Sequence, residues 1–123
     1  MHPFITITIV VLLMDAVWLT LNFKAHSVLF ASVQKSPLTV RVIPALLVYI
    51  LIPAALVYFA VNTSKSVKES ATKGALLGAS MYGLYDLTNL STLKGWTYEM
   101  TVKDTLWGVI VCASGAAAGY KFR

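Results

Sequence analysis

The chain has 123 residues, enough for one domain, and is 58% hydrophobic and only 12% charged, against roughly 25% charged for soluble domains. A soluble core of this size cannot hide that much apolar surface, so the composition excludes a water-soluble globular domain and points to lipid as the solvent. The net charge of +5 does not point to nucleic acid, because the basic residues flank apolar stretches, as they do in membrane proteins.

Four apolar stretches, residues 4–22, 42–61, 74–93 and 104–120, are each long enough to cross a hydrocarbon layer of about 30 Å as a helix. They lack the period-2 alternation of barrel strands, and an open sheet cannot satisfy its backbone in lipid. The expected fold is all-α: an integral membrane four-helix bundle in one domain, residues 1–123.

The first stretch has neither a basic leader nor a small-residue cleavage site, so it reads as a retained helix and not a signal peptide. Its eleven Leu, Ile, Val and Phe residues contribute about −5 kcal/mol to insertion, which outweighs a central Asp15 at about +3 kcal/mol. Asp15, Trp18 and Asn22 share one face. "FKAHSVLFASVQ" contains no Gly or Pro and can extend this helix to residue 34 along the interface, as far as Pro37.

The second stretch carries "PALLVY" at Pro44 and "PAALVY" at Pro53. Pro53 falls mid-span and should kink the helix. "NTS" at Asn62 matches a glycosylation acceptor, but it hugs a membrane end and carries no weight.

"SVKE", Ser66 to Glu69, fits a capping box ahead of the third stretch. That stretch has only six strong apolar residues, with three glycines, Asp86 and Asn89. Its insertion sum is near zero or unfavourable, so it should be surrounded by the other helices or by a second copy. Gly74, Gly78, Tyr82, Asp86 and Asn89 form one stripe, small in its lower half and polar in its upper half. The fourth stretch repeats the design with Asp104, Gly108, Cys112, Gly115 and Gly119. Gly74, Gly78, Gly108, Gly115 and Gly119 are the expected close-packing positions. One glycine stripe can pack within the chain and leave the other for a homo-oligomer, a dimer by preference.

Four spans place both termini and the middle loop on one side, here side A, and the other two connections on side B. Lys65, Lys68, Lys73, Lys121 and Arg123 fall on side A; Lys24, Lys35, Arg41, Lys94 and Lys103 fall on side B. This tie leaves orientation in the membrane unassigned. A multi-pass protein of a cytoplasmic-type inner membrane is the expected setting.

At 1.5 Å per residue, Asp15, Tyr49 and Asp86 all lie roughly 10 Å below side B. Asp104 is expected at the surface, with Trp107 one turn deeper and Asn22, Asn89, Thr92 and Trp96 between. The polar residues therefore belong to the side-B half, as a pocket open on one side. Candidate pocket residues are Asp15, Trp18, Asn22, Tyr49, Tyr85, Asp86, Thr88, Asn89, Asp104 and Trp107. Intramembrane ionisable residues are functional candidates by default. With no Lys or Arg at that depth, desolvation and mutual repulsion favour the neutral form of at least one carboxyl group. Trp96 reads as an interface-belt residue, and His2 and His26 as surface residues. No spacing suggests a metal site or a cofactor, and the lone Cys112 reads as a small buried side chain.

The motifs "DAVWL", "PAALVY", "GALLGASMYGLYDLTNLSTLKGW" and "DTLWG" occur in this order. In them the chain resembles a family of small bacterial membrane proteins catalogued as domain of unknown function twenty-one seventy-seven. The resemblance spans nearly the whole chain. It implies a four-helix integral membrane protein with Asp15, Trp18, Asp86, Thr88, Asn89, Asp104, Trp107 and Gly108 at signature positions, and it implies no established activity.

Three functions fit this reading. The first is a proton-coupled carrier of a small cationic or polar solute, which needs an oligomer because four helices enclose no conduit. The second is a membrane-embedded enzyme acting on a lipid or isoprenoid, with Asp86 as acid or base and Asn89 and Tyr85 orienting substrate. The third is an assembly partner of another membrane protein. An open channel is disfavoured, because the side-A half offers no polar lining.

Overall fold

Helix-breaking residues and caps divide the chain. In the computed structural model, which describes residues 1–36 and 41–123, the described residues form four helices and no strand. These are α1 (Pro3–Gln34), α2 (Val42–Leu56), α3 (Val67–Thr92) and α4 (Tyr98–Lys121), with a π-helical segment, Val57–Val61, continuing α2.

α1 starts with Pro3 in its first turn, behind His2, whose side chain accepts from the Phe4 N–H. Nothing in "FKAHSVLFASVQ" interrupts it, and it runs unbroken to Lys35, which takes a left-handed conformation at φ 58°. Its 32 residues extend about 48 Å, well beyond the hydrocarbon thickness. Pro53 has no N–H to give to the Tyr49 carbonyl. Just beyond it the helix widens, and the Asn62 N–H reaches back five residues to the Val57 carbonyl at 2.9 Å.

The capping box forms with a shift. Ser66 Oγ accepts from the Glu69 N–H at 3.0 Å, while Glu69 Oε2 accepts from the Lys65 N–H, one residue further back, at 2.9 Å. α3 thus begins ahead of its apolar stretch. So does α4, because Thr97 caps it by accepting from the Met100 N–H. This earlier start changes the place of Asp104. It lies within the helix instead of at its exposed end, and it is half-buried.

α4 is the central helix. It makes its most extensive contact with α3, packs on α1, and meets the π segment. α2 leans on α1, whereas α2 and α3 are not packed together; only the π segment closes against α3. Ile7, Val11, Leu56, Val111, Cys112 and Ala116 form the fully buried centre. Both termini meet on side A, where the Met1 ammonium donates to the Phe122 carbonyl.

Both glycine stripes are used inside the chain. Gly74 faces Cys112 and Ala116, and Gly78 faces the Gly108 carbonyl. Gly108 lies under the Tyr82 ring, while Gly115 and Gly119 receive Ile7. The stripe expected to remain for a partner is filled by α1 and the end of α2, because a bundle this small needs every close approach for itself.

The outer surface is apolar, with Leu13, Leu21, Ile43, Leu51, Leu76 and Leu84 exposed. α1, and α2 with its π continuation, are long and apolar enough to cross a membrane by themselves. α3 and α4 do not meet that test, and they pair with each other.

Candidate functional site

The site starts from Asp15, the one carboxyl group of α1. Its position on the buried face of α1 puts it between α2 and α4. Its Oδ2 accepts from the Tyr49 hydroxyl and its Oδ1 from the Trp107 indole N–H, each at 2.9 Å. One side chain thereby ties three helices together. Trp107 then stacks on Trp18, with ring centroids 4.6 Å apart and planes within 8°. Lys103 Nζ lies 5.6 Å from the centre of the Trp18 ring, a cation–π contact at the pocket mouth.

Above this floor is a pocket of about 200 Å³. Asp15, Trp18, Tyr49, Tyr82, Tyr85, Asp104 and Trp107 line its inner part, and Leu19, His26, Phe30, Trp96 and Met100 its side-B mouth. The continuous α1 brings His26 and Phe30 over the pocket, and the short α3–α4 connection folds Trp96 beneath them. Phe30 and Trp96 meet edge to face at 5.3 Å, as do Tyr85 and Trp96 at 6.0 Å. Trp96 is buried, with its indole N–H unpartnered among the described residues. This corrects its reading as an interface-belt residue, and His26 is likewise a pocket residue instead of a purely surface one.

Asp86 sits just behind the pocket wall and has no exposed surface at all. The Asp104 carboxyl group faces it from α4. Thr105 Oγ1 approaches Asp86 Oδ2 only at 3.5 Å, and Oδ1 has no conventional donor among the described residues. The sole salt bridge among the described residues joins Lys73 to Glu69 at side A. Neither Asp86 nor Asp104 is in a salt bridge among the described residues, although His26 and Lys103 stand near Asp104 at the pocket mouth, whereas both oxygens of Asp15 are occupied.

The model of a family described as predicted membrane proteins, DUF2177, matches residues 1–121. The chain belongs to this family. No curated protein and no solved structure matches it at a significant level. A bilayer is thus the environment of this DUF2177 member.

Of the residues that carry the DUF2177 resemblance, Asp15, Trp18, Asp104 and Trp107 line the pocket, and Asp86 backs it. Tyr49 and Tyr85, also expected here, line it too, whereas Asn22, Thr88 and Asn89 do not. Asn22 donates to the Trp18 carbonyl of its own helix, Thr88 is exposed, and Asn89 is half-buried one turn beyond Tyr85, outside the pocket lining. Among the described residues no group of His, Cys, Asp or Glu is arranged to hold a metal ion.

Proposed function

We propose that this multi-pass membrane protein binds a small organic cation in the side-B pocket and exchanges it for a proton shared by Asp86 and Asp104. The observation that carries this reading is the fully buried Asp86 facing the half-buried Asp104, neither of them in a salt bridge among the described residues, beside an aromatic enclosure. Two facing carboxyl groups repel each other when both are ionised, and a single proton between them relieves that repulsion. An arriving cation offers the charge that lets the proton leave. Aromatic faces attract such cations without binding their water, and Lys103 over Trp18 already uses this wall in that way.

Carrier function is the fuller form of this proposal. The path toward side A closes at Ile7, Val11 and Leu56, so transport requires a second copy packed through the exposed outer face of α1. The enzyme reading has less support, since Asn89 does not line the pocket.

The test is a choline gradient across proteoliposomes loaded with a pH-sensitive dye. Choline entry should drive protons outward with the native chain and not with Asp86→Asn. A choline gradient that moves no protons would overturn the carrier reading.

A further inference from the structure

Beside the side-B pocket lies a second, mostly apolar recess on the outer surface of the bundle. Because α2 and α3 are not packed together, a seam of about 490 Å³ runs between them, within the size range of small-molecule sites. Its walls are Val48, Leu51 and Ile52 from α2 and Met81 from α3, and its inner end is Tyr82, Tyr85 and Asp104. Those last three residues also line the cation pocket, so the inner end of the seam and the pocket share a wall that carries the Asp104 carboxyl group. The π segment shuts the seam at its side-A end by packing on α3 and α4.

We infer that the seam takes the hydrocarbon chain of a cationic amphiphile whose head group occupies the acidic pocket. This deepens the cation-binding reading and rests on it. The polarity gradient carries the inference. A hydrocarbon chain needs no polar partner, and the seam offers it only aliphatic side chains and a methionine. A cationic nitrogen needs a carboxyl group, and the seam ends on one. A water-soluble cation has no use for an apolar slot facing lipid. An amphiphile already in the bilayer enters the pocket through that slot without crossing water, drawing its charged end inward as the chain follows. The bilayer delivers the ligand at the depth where the seam is open.

The test uses the chain's three tryptophans, Trp18, Trp96 and Trp107, all of which line the pocket, so intrinsic fluorescence reports its occupancy. The protein is held in nanodiscs of digalactosyldiacylglycerol, a neutral lipid without an amine. Two probes are titrated: choline, and its N-dodecyl analogue dodecyldimethyl(2-hydroxyethyl)ammonium. The native chain should respond to both. Val48→Phe with Leu51→Phe fills the seam from two exposed positions. It should raise the half-saturating concentration of the dodecyl probe at least tenfold and leave that of choline within twofold.

A double variant with both responses unchanged overturns the seam and leaves cation binding standing, as does a native chain that responds to choline alone. A native chain that responds to neither probe overturns both. If the double variant loses both responses, the native chain decides: a dodecyl probe carrying a diazirine at the chain end should label the peptides containing Val48, Leu51 and Met81. Labelling confined to the outer face of α1 overturns the proposal. Spontaneous disulfide dimers of a Leu51→Cys, Cys112→Ala chain would assign the seam to a second copy and overturn it equally.

Discussion

Asp15→Ala should be among the most damaging single changes in the pocket, through loss of structure. In the native chain Tyr49 and Trp107 each donate to a different oxygen of Asp15 at 2.9 Å. Alanine removes both acceptors and leaves a hydroxyl and an indole N–H inside an apolar bundle. An orphaned buried donor costs about 1–3 kcal/mol, although hydrogen bonds measured within membrane bundles average only about 0.6 kcal/mol each. Two orphans on two different helices set the loss at about 3 kcal/mol, because no other acceptor is bonded to either donor. Asp15→Asn keeps the shape. Its carbonyl oxygen can serve Trp107 and its amide can donate to a rotated Tyr49 hydroxyl, so about 1 kcal/mol should be lost. Tyr49→Phe removes one bond and should also cost about 1 kcal/mol. The assay is reversible unfolding in mixed micelles by added dodecyl sulfate, followed by tryptophan fluorescence. If Asp15→Ala loses no more than Tyr49→Phe, the bond to Trp107 contributes nothing and the three-helix clamp is refuted.

Other expectations follow from the same geometry. Gly78→Ala would press a methyl group into the Gly108 carbonyl and should destabilise α3 against α4 by about 2 kcal/mol. Gly115→Ala meets Ile7, Leu56 and Val11 at 3.4–3.6 Å and should stay within about 0.5 kcal/mol of the native chain by the same unfolding assay. At the side-A surface, the Glu69 carboxyl is held below its usual range by the Lys65 N–H and then by Lys73. A depressed carboxyl contributes stability above its unfolded value, roughly pH 4.3, and loses it as pH falls through the lower folded value. Helix α3 should therefore fray at its start on acidification, seen as faster amide exchange at Ser70, whereas Glu69→Gln should show no such pH dependence. In a Cys112→Ala background, cysteines at His26 and Phe30 should react with a water-soluble maleimide, and cysteines at Ser70 and Val111 should not. Equal labelling of both sets would mean that water reaches the side-A half.

Much of this arrangement is legible in the chain itself. The Asp15–Trp18 face, the Tyr49 depth and the Trp107 position follow from helical periodicity and a common rise, and these four residues converge on one clamp. Periodicity says less where helices begin. α4 starts at Thr97 because a threonine side chain caps it, a polar signal that lies outside the apolar stretch. That start carries Asp104 inward to Asp86. His26, Phe30 and Trp96 depend on α1 continuing past its apolar stretch, which the absence of Gly and Pro allows, and on the fold of the α3–α4 connection, which no hydropathy pattern encodes. Asn22 shows the opposite limit. It lies on the expected face, yet its amide bonds the carbonyl one turn back, a local choice that periodicity cannot foresee. The glycine stripes were visible as packing surfaces, but their partners were not, since a small stripe fits a neighbouring helix of the same chain as well as one of another copy.

The central claim is that Asp86 and Asp104 share a proton which a bound cation displaces. It is tested most directly by proton release on binding, measured with a pH indicator in weakly buffered dodecyl maltoside micelles while choline is added to saturation. The account predicts close to one proton released per choline bound by the native chain and none by Asp86→Asn. Choline binding, seen in tryptophan fluorescence, with no proton release from the native chain would contradict it.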